Sequence, residues 1–234
     1  MPAEQTRNPA STPPSWPMYR ALVGVGMFCG LLIVSVFVVT LPVILQNQAE
    51  ALEQAVFQVL PGATSKRSLL LGEDGVFRVA QEGDPPPQTV HAGFNPEGEL
   101  VGIAVQGQGM GYQDVIRVLY GYSPQVQAIV GMQVLASKET PGLGDKIEKD
   151  PAFIQNFVAL DVSLGSAGRA PEHPIEYVKN GEKNQAWQID GITGATISSK
   201  AIAQILRHSS EYWMPLIHSQ RAAFEQAGDT DEQP

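Results

Sequence analysis

Cysteine is nearly absent: the 234-residue chain has one, Cys29, inside an apolar run. Everything after that run therefore lacks disulfides, thiolate metal sites and iron–sulfur ligation. The four histidines, His91, His173, His208 and His218, are scattered without metal-ligand spacing, so no metal site is expected. No nucleophile elbow, Walker loop or dinucleotide fingerprint occurs, which argues against acyl hydrolysis, nucleotide hydrolysis and nicotinamide binding. Gly107-Gln108-Gly109-Met110-Gly111 is glycine-rich, but it stands between two strand patterns and reads as a flexible turn. Positive charge is scarce as well, with 15 Lys and Arg against 24 Asp and Glu and a net charge of −9. The first 49 residues carry Glu4, Arg7 and Arg20, so the remainder carries −10. That sign disfavours nucleic acid and anionic lipid headgroups as partners.

Charge is missing altogether from Ala21 to Leu45, ALVGVGMFCGLLIVSVFVVTLPVIL. At about 1.5 Å per residue a helix of this length exceeds a ~30 Å hydrocarbon core, and a helix satisfies its own backbone hydrogen bonds in lipid. We read residues 21–46 as one transmembrane helix. Ala49-Glu50-Ala51 resembles a signal cleavage site, but the run is far longer than a signal core of roughly 7–15 residues. Arg7 and Arg20 precede the segment, and no Lys or Arg follows until Lys66. The positive-inside rule then places the N-terminus in the cytoplasm and the C-terminal part outside it. Trp16 and Tyr19 suit the membrane interface.

Around this segment, residues 1–20 are rich in Pro, Ser and Thr and read as a disordered cytoplasmic tail. Residues 47–74 read as a helical stalk and linker: Leu52, Ala55, Val56 and Val59 fall at helical spacing, Pro61-Gly62 stops them, and a break is expected near Pro42. From Gly75 the period becomes two, with Asn95-Pro96-Glu97-Gly98 turning one hairpin and Gly121–Pro124 another. A helix is expected over 150–157, and a third hairpin around Asn180-Gly181. The last helix starts at Ser198, buries Ile202, Ile205, Leu206, Ser209 and Trp213, and closes at Pro215. Residues 75–215 thus form an α+β domain, an antiparallel sheet with packed helices, and 216–234 an acidic tail.

One stretch stands out. GITGATISSK, Gly191–Lys200, lies where a strand ends and a helix begins. Small residues there leave helix N-terminal amides open to an anion, and Thr196 would project a hydroxyl beside it. The plain alternative is that Ser198 or Thr196 is an N-cap.

Asp190-Gly191-Ile192-Thr193-Gly194-Ala195-Thr196 fits the D-x-x-[ST]-G-A-T signature read by a flavin transferase, and Glu139-Thr140-Pro141-Gly142-Leu143-Gly144 is similar to the E-T-P-G-L-G loop of FMN-binding domains in membrane redox pumps. With the N-terminal membrane helix, the chain resembles the G subunits of Rnf-type ion-translocating electron-transport complexes, and their sibling, the C subunit of the sodium-translocating NADH:quinone oxidoreductase. The resemblance implies a single-pass protein of the bacterial inner membrane with an extracytoplasmic FMN-binding domain. FMN would be covalently bound through a phosphoester to Thr196, with Thr193, Gly194 and Ala195 as its backbone cradle. Glu139, Thr140, Leu143 and Gly144 would face the flavin ring, and Asp190 would serve transferase recognition. Lys146 would be placed to offset the phosphate charge, unless it is a solvated surface lysine, and Trp187 to stack on the ring, unless it is a core residue. The implied role is electron relay among the other membrane subunits of a complex that couples ferredoxin/NAD oxidoreduction to ion translocation, without a complete enzyme in this chain. Its partners would be those subunits, the transferase and the membrane, with no nucleic acid. Two alternatives stay open here: the quinone-reductase sibling, and a tethered binding or assembly module with no redox duty.

Overall fold

The computed structural model describes residues 16–80 and 88–228; the remainder of the two expected tails lies outside them. The chain divides into two compact units, one ending at Ala49 and one beginning at Glu50. Helix α1, Trp16–Val59, contributes to both.

In the first unit the helix carries an 18-residue window of mean hydropathy 2.8, and its large apolar side chains are almost all exposed. A helix apolar on every side and covered by no protein suits lipid. The expected break at Pro42 does not occur, for the helix passes through it uninterrupted. Proline at 42 removes the one backbone hydrogen bond that would reach the Val38 carbonyl, and the rest of the helical ladder carries the helix past it.

The second unit is built on a seven-stranded antiparallel sheet ordered β2-β1-β3-β4-β5-β6-β7. Its strands are β1 Ser65–Leu71, β2 Phe77–Val79, β3 Thr89–Phe94, β4 Leu100–Met110, β5 Val115–Ser123, β6 Ala128–Ala136 and β7 Leu160–Asp161. β1 falls in the stretch expected to be stalk and linker, so the sheet begins before Gly75. Its run SKRSLLL is too charged at the start to announce a strand.

One face of the sheet takes the end of α1. Ala55, Val56, Val59 and Leu60 pack on Ala104 and Leu119. Close approach there depends on glycine: a Cβ at Gly93 or Gly102 would stand 2.7 or 2.8 Å from a Leu60 methyl, and one at Gly131 2.8 Å from the Val59 carbonyl oxygen. At Gly121 it would overlap that oxygen outright. Gly121 is thus a strand residue, paired with Gly131, and the turn falls after it, at Pro124–Gln127.

The opposite face takes α4, Thr196–Ser219. Gly107 and Gly109 are not a turn but belong to the C-terminal part of β4, where a Cβ would stand 2.9 and 2.6 Å from Ile205. Tyr120 bonds Ser209 at 2.8 Å across the same contact. The helix starts two residues before the expected Ser198 and runs through Pro215. An interior proline costs ~3 kcal/mol. Met214, Ile217 and, in the following helix α5 (Arg221–Gln226), Phe224 are fully buried at about 1.5–3 kcal/mol each, which outweighs it. Between the two helices Gln220 accepts from Phe77 N at 3.1 Å and donates to the Gly75 carbonyl at 2.7 Å, covering edge strand β2.

Between sheet and α4 the chain forms α2, Lys146–Lys149, α3, Pro151–Ile154, and a 3₁₀ turn, Gln155–Phe157. Asp150 caps α3 by accepting from Ala152 N and Phe153 N. The expected third hairpin is instead a parallel pair, β8 Glu176–Val178 with β9 Gln188–Asp190. The Asn180-Gly181 turn is real, but it bonds the end of β9: Asn180 Nδ2 donates to the Gly191 carbonyl at 2.9 Å. A second turn, in which Asn184 N and Gln185 N donate to Gln188 Oε1, brings the chain round to run in the same direction.

His91, in β3, is buried and bonds Ser68 through Nδ1 at 2.8 Å, while its Nε2 has no partner among the described residues. Burial, with the Lys66 ammonium nearby, lowers its pKa to about 4. The unfolded chain takes up a proton near 6.5 and the folded one only near 4, so stability falls as pH is lowered through that window, by about 3 kcal/mol in all. Urea midpoints of the detergent-solubilised chain should drop between pH 6.5 and 4.5, with a shallower drop in His91→Gln; equal slopes would remove His91 as the cause. Gly121→Ala should cost about 1–3 kcal/mol by overpacking Val59, and wild-type stability in that variant would refute the glycine-dependent contact.

Candidate functional site

The loop after β6 and the N-terminus of α4 meet around a cavity of about 320 Å³, near the lower end of the ~300–1,000 Å³ usual for ligand sites. Its lining consists of Tyr112, Glu139, Thr140, Leu143, Gly144, Gly194, Ala195, Thr196, Ile197 and Ser198. A larger hollow of about 720 Å³ around Asn95, Glu99, Gln125 and Arg221 has a mainly polar wall and none of the motif residues.

Each position of Glu139–Gly144 has a local reason. Pro141 and Gly142 form the corner of a turn in which Leu143 N donates to the Thr140 carbonyl at 3.1 Å, and Gly142 has φ 78°. Proline followed by a left-handed glycine suits a type II turn. Leu143 is left half-exposed at the cavity, and Gly144 makes room for Glu139, since a Cβ there would stand 2.7 Å from Glu139 Oε2.

The second motif turns at Gly194, φ 85°, and enters α4 at Thr196. Neither Thr196 nor Ser198 caps the helix. The N-cap position is Ala195, which has no side chain to do so. Ser198 donates instead to Glu139, and Ser199 accepts from Ile192 N and donates to the Ala195 carbonyl, bracing the turn. The first-turn amides thus have neither an intrahelical acceptor nor a side-chain cap, and Thr196 is exposed in the cavity wall. Among the described residues no Lys or Arg lines the cavity, so an anion would rely on these amides and the helix dipole.

Seven of the eleven candidate residues converge here: Glu139, Thr140, Leu143, Gly144, Gly194, Ala195 and Thr196. Thr193 is exposed in the turn but outside the lining, and Lys146 is outside it as well. Asp190 stands behind the turn, where both its carboxylate oxygens accept from Gly181 N, at 2.8 and 3.0 Å. Trp187 does not reach the cavity and stacks on His173, with ring centroids 3.9 Å apart. Tyr112 and Ile197 were missed. Both are exposed, Ile197 directly after the second motif and Tyr112 directly after the glycine-rich stretch read as a turn, and only the fold shows that they share a wall with Leu143.

An uncovered apolar wall, an uncapped helix N-terminus and an exposed hydroxyl fit a ligand that is flat at one end and phosphorylated at the other. The profile of the FMN-binding domain matches residues 111–210, which include the whole cavity lining. This is a flavin-binding domain on a single-pass membrane anchor. The chain is 33% identical over 165 residues to the G subunit of the ion-translocating oxidoreductase complex of Methanosarcina acetivorans, covering 70% of this chain and 76% of that one. The corresponding G subunit of Shewanella baltica is 27% identical over 195 residues, covering 80% and 84%. The chain belongs to this family of G subunits. Its fold is also that of Shewanella oneidensis NqrC, with a TM-score of 0.56 at 17% identity over 80% of this chain and all of that one.

Asn156, buried in the 3₁₀ turn, holds the motif from behind by accepting from Asp190 N at 3.0 Å and donating to the Asp190 carbonyl at 3.1 Å. Asn156→Ala leaves both groups without a protein partner and should cost roughly 2–4 kcal/mol in urea unfolding. A loss below roughly 0.5 kcal/mol, the scale of an ordinary surface substitution, would show that Asn156 does not hold the motif.

Proposed function

We propose that this chain is a membrane-anchored flavoprotein subunit that relays electrons through an FMN covalently bound to Thr196, within an Rnf-type complex. The observation that carries this is the exposed Thr196 hydroxyl on the first turn of a helix that no side chain caps, beside an apolar-walled cavity. The relatives are named as subunits of translocating complexes, among them the Na(+)-translocating ferredoxin:NAD(+) oxidoreductase complex of Acetobacterium woodii and a proton-translocating counterpart in Clostridium ljungdahlii. On that reading the partners are the other membrane subunits, and a flavin transferase during maturation. Arg7 and Arg20 favour a cytoplasmic N-terminus, with the FMN domain on the outer face of the bacterial inner membrane.

Bound FMN supplies the one- and two-electron chemistry, and the protein supplies position and electrostatics. The first-turn amides of α4 hold the phosphate, and Gly194, without a Cβ, lets the turn approach it closely. Tyr112, Leu143 and Ile197 give the ring an apolar surface and exclude water. The bond joins Thr196 Oγ1 to phosphorus. The hydroxyl proton leaves with the displaced phosphate substituent, so the product weighs the chain plus FMN less one water. Asp190 serves transferase recognition, with its carboxylate held by Gly181 N and acceptor sites still open.

The chain expressed with a flavin transferase and an export route should give a fluorescent band on a denaturing gel and the mass stated above. Thr196→Ala should be dark at the unmodified mass, and electron transfer through a complex carrying it should be lost. A fluorescent Thr196→Ala band refutes the attachment site; a dark wild type refutes covalent FMN and favours the binding-module alternative. Wild-type turnover by the Thr196→Ala complex would end the relay role.

A further inference from the structure

Glu139 has a task beyond lining the cavity. Its carboxylate is buried, 6% exposed, between two glycines. A Cβ at Gly111 would stand 2.5 Å from its Oε1, and one at Gly144 2.7 Å from its Oε2. Oε1 accepts from Tyr112 N at 2.9 Å and Gln113 N at 3.0 Å, and Oε2 from the Ser198 hydroxyl at 2.5 Å. One side chain therefore ties together the β4–β5 turn, its own loop and the first turn of α4, and so joins the wall bearing Tyr112 to the wall bearing Thr196.

Three donors and no hydrogen to give is the pattern of the carboxylate form. Among the described residues no Lys or Arg pairs with it. Burying a carboxylate without a cation is costly, and here only hydrogen bonds and the α4 dipole offset that cost. A neutral amide would serve as a tie with less desolvation. The charge therefore has an electrostatic effect of its own: a carboxylate in the cavity wall opposes the addition of negative charge to whatever the cavity holds.

Resting on the flavin reading above, we propose that Glu139 is the positioning residue of this site, fixing Tyr112 and the first turn of α4 and, by its charge, biasing the bound flavin toward its oxidised form. Glu139→Gln separates the two effects. The amide oxygen still accepts from Tyr112 and Gln113, its nitrogen donates to Ser198 Oγ, and only the charge is lost. Glu139→Ala removes both.

The test uses the full chain in detergent, with and without flavin loading. In the flavin-free chain, Tyr112 and Gln113 amides should exchange with solvent at the wild-type rate in Glu139→Gln and at least tenfold faster in Glu139→Ala, with β5 amides still protected to show that the sheet persists. After loading, Glu139→Gln should hold wild-type flavin, with a midpoint about 30 mV more positive, a tenfold change in a two-electron equilibrium. Glu139→Ala should load at least tenfold less. Wild-type exchange and loading in Glu139→Ala would overturn the positioning role, and an unchanged midpoint in fully loaded Glu139→Gln would overturn the charge bias. A wild type that takes up no flavin overturns the flavin reading, and with it the bias, while exchange in the unloaded chain still decides the positioning role.

Discussion

The structure of the second unit depends on backbone left bare at four adjacent strands. Gly93, Gly102, Gly121 and Gly131 allow the end of α1 to lie against the sheet with Leu60 and the Val59 carbonyl at distances no Cβ would permit. With that face sealed, β3 is buried on both sides and α4 must take the other face. There Gly107 and Gly109 receive Ile205, and that contact sets where the first turn of α4, and so Thr196, comes to rest. The geometry of the site follows from side chains that are missing.

The electrostatics of the cavity follow from the same economy. Among the described residues the candidate phosphate site offers backbone amides and a helix dipole with no lysine or arginine, and Glu139, the one carboxylate in its wall, has no cation beside it. Such an arrangement would receive an anion at one end and oppose further negative charge beside it. Apolar side chains around it lower the local dielectric and strengthen both effects.

Much of this was legible in the sequence because it is local. The membrane run, the Asn95–Gly98 turn and the apolar stripe of α4 are periodic or punctuated, and two short motifs named seven residues that meet in one cavity. What escaped was tertiary. Gly107, Gly109 and Gly121 carry the composition of turns, and only the helices lying over them reveal strands. The parallel β8–β9 pair was hidden because the side chains of Asn180, Gln188 and Asp190 redirect the chain in ways no periodicity records. Pro215 misled because a local penalty was outweighed by burial farther along. Tyr112 and Ile197 belong to the site by shape alone.

One consequence of the Ile205 contact concerns motion. A side chain seated over two bare strand positions acts as a detent: α4 cannot slide along the sheet by a fraction of a turn without lifting Ile205 out. The Thr196 end of α4 is thus seated by a contact of its own, separate from the Gln220 end where the chain grips β2.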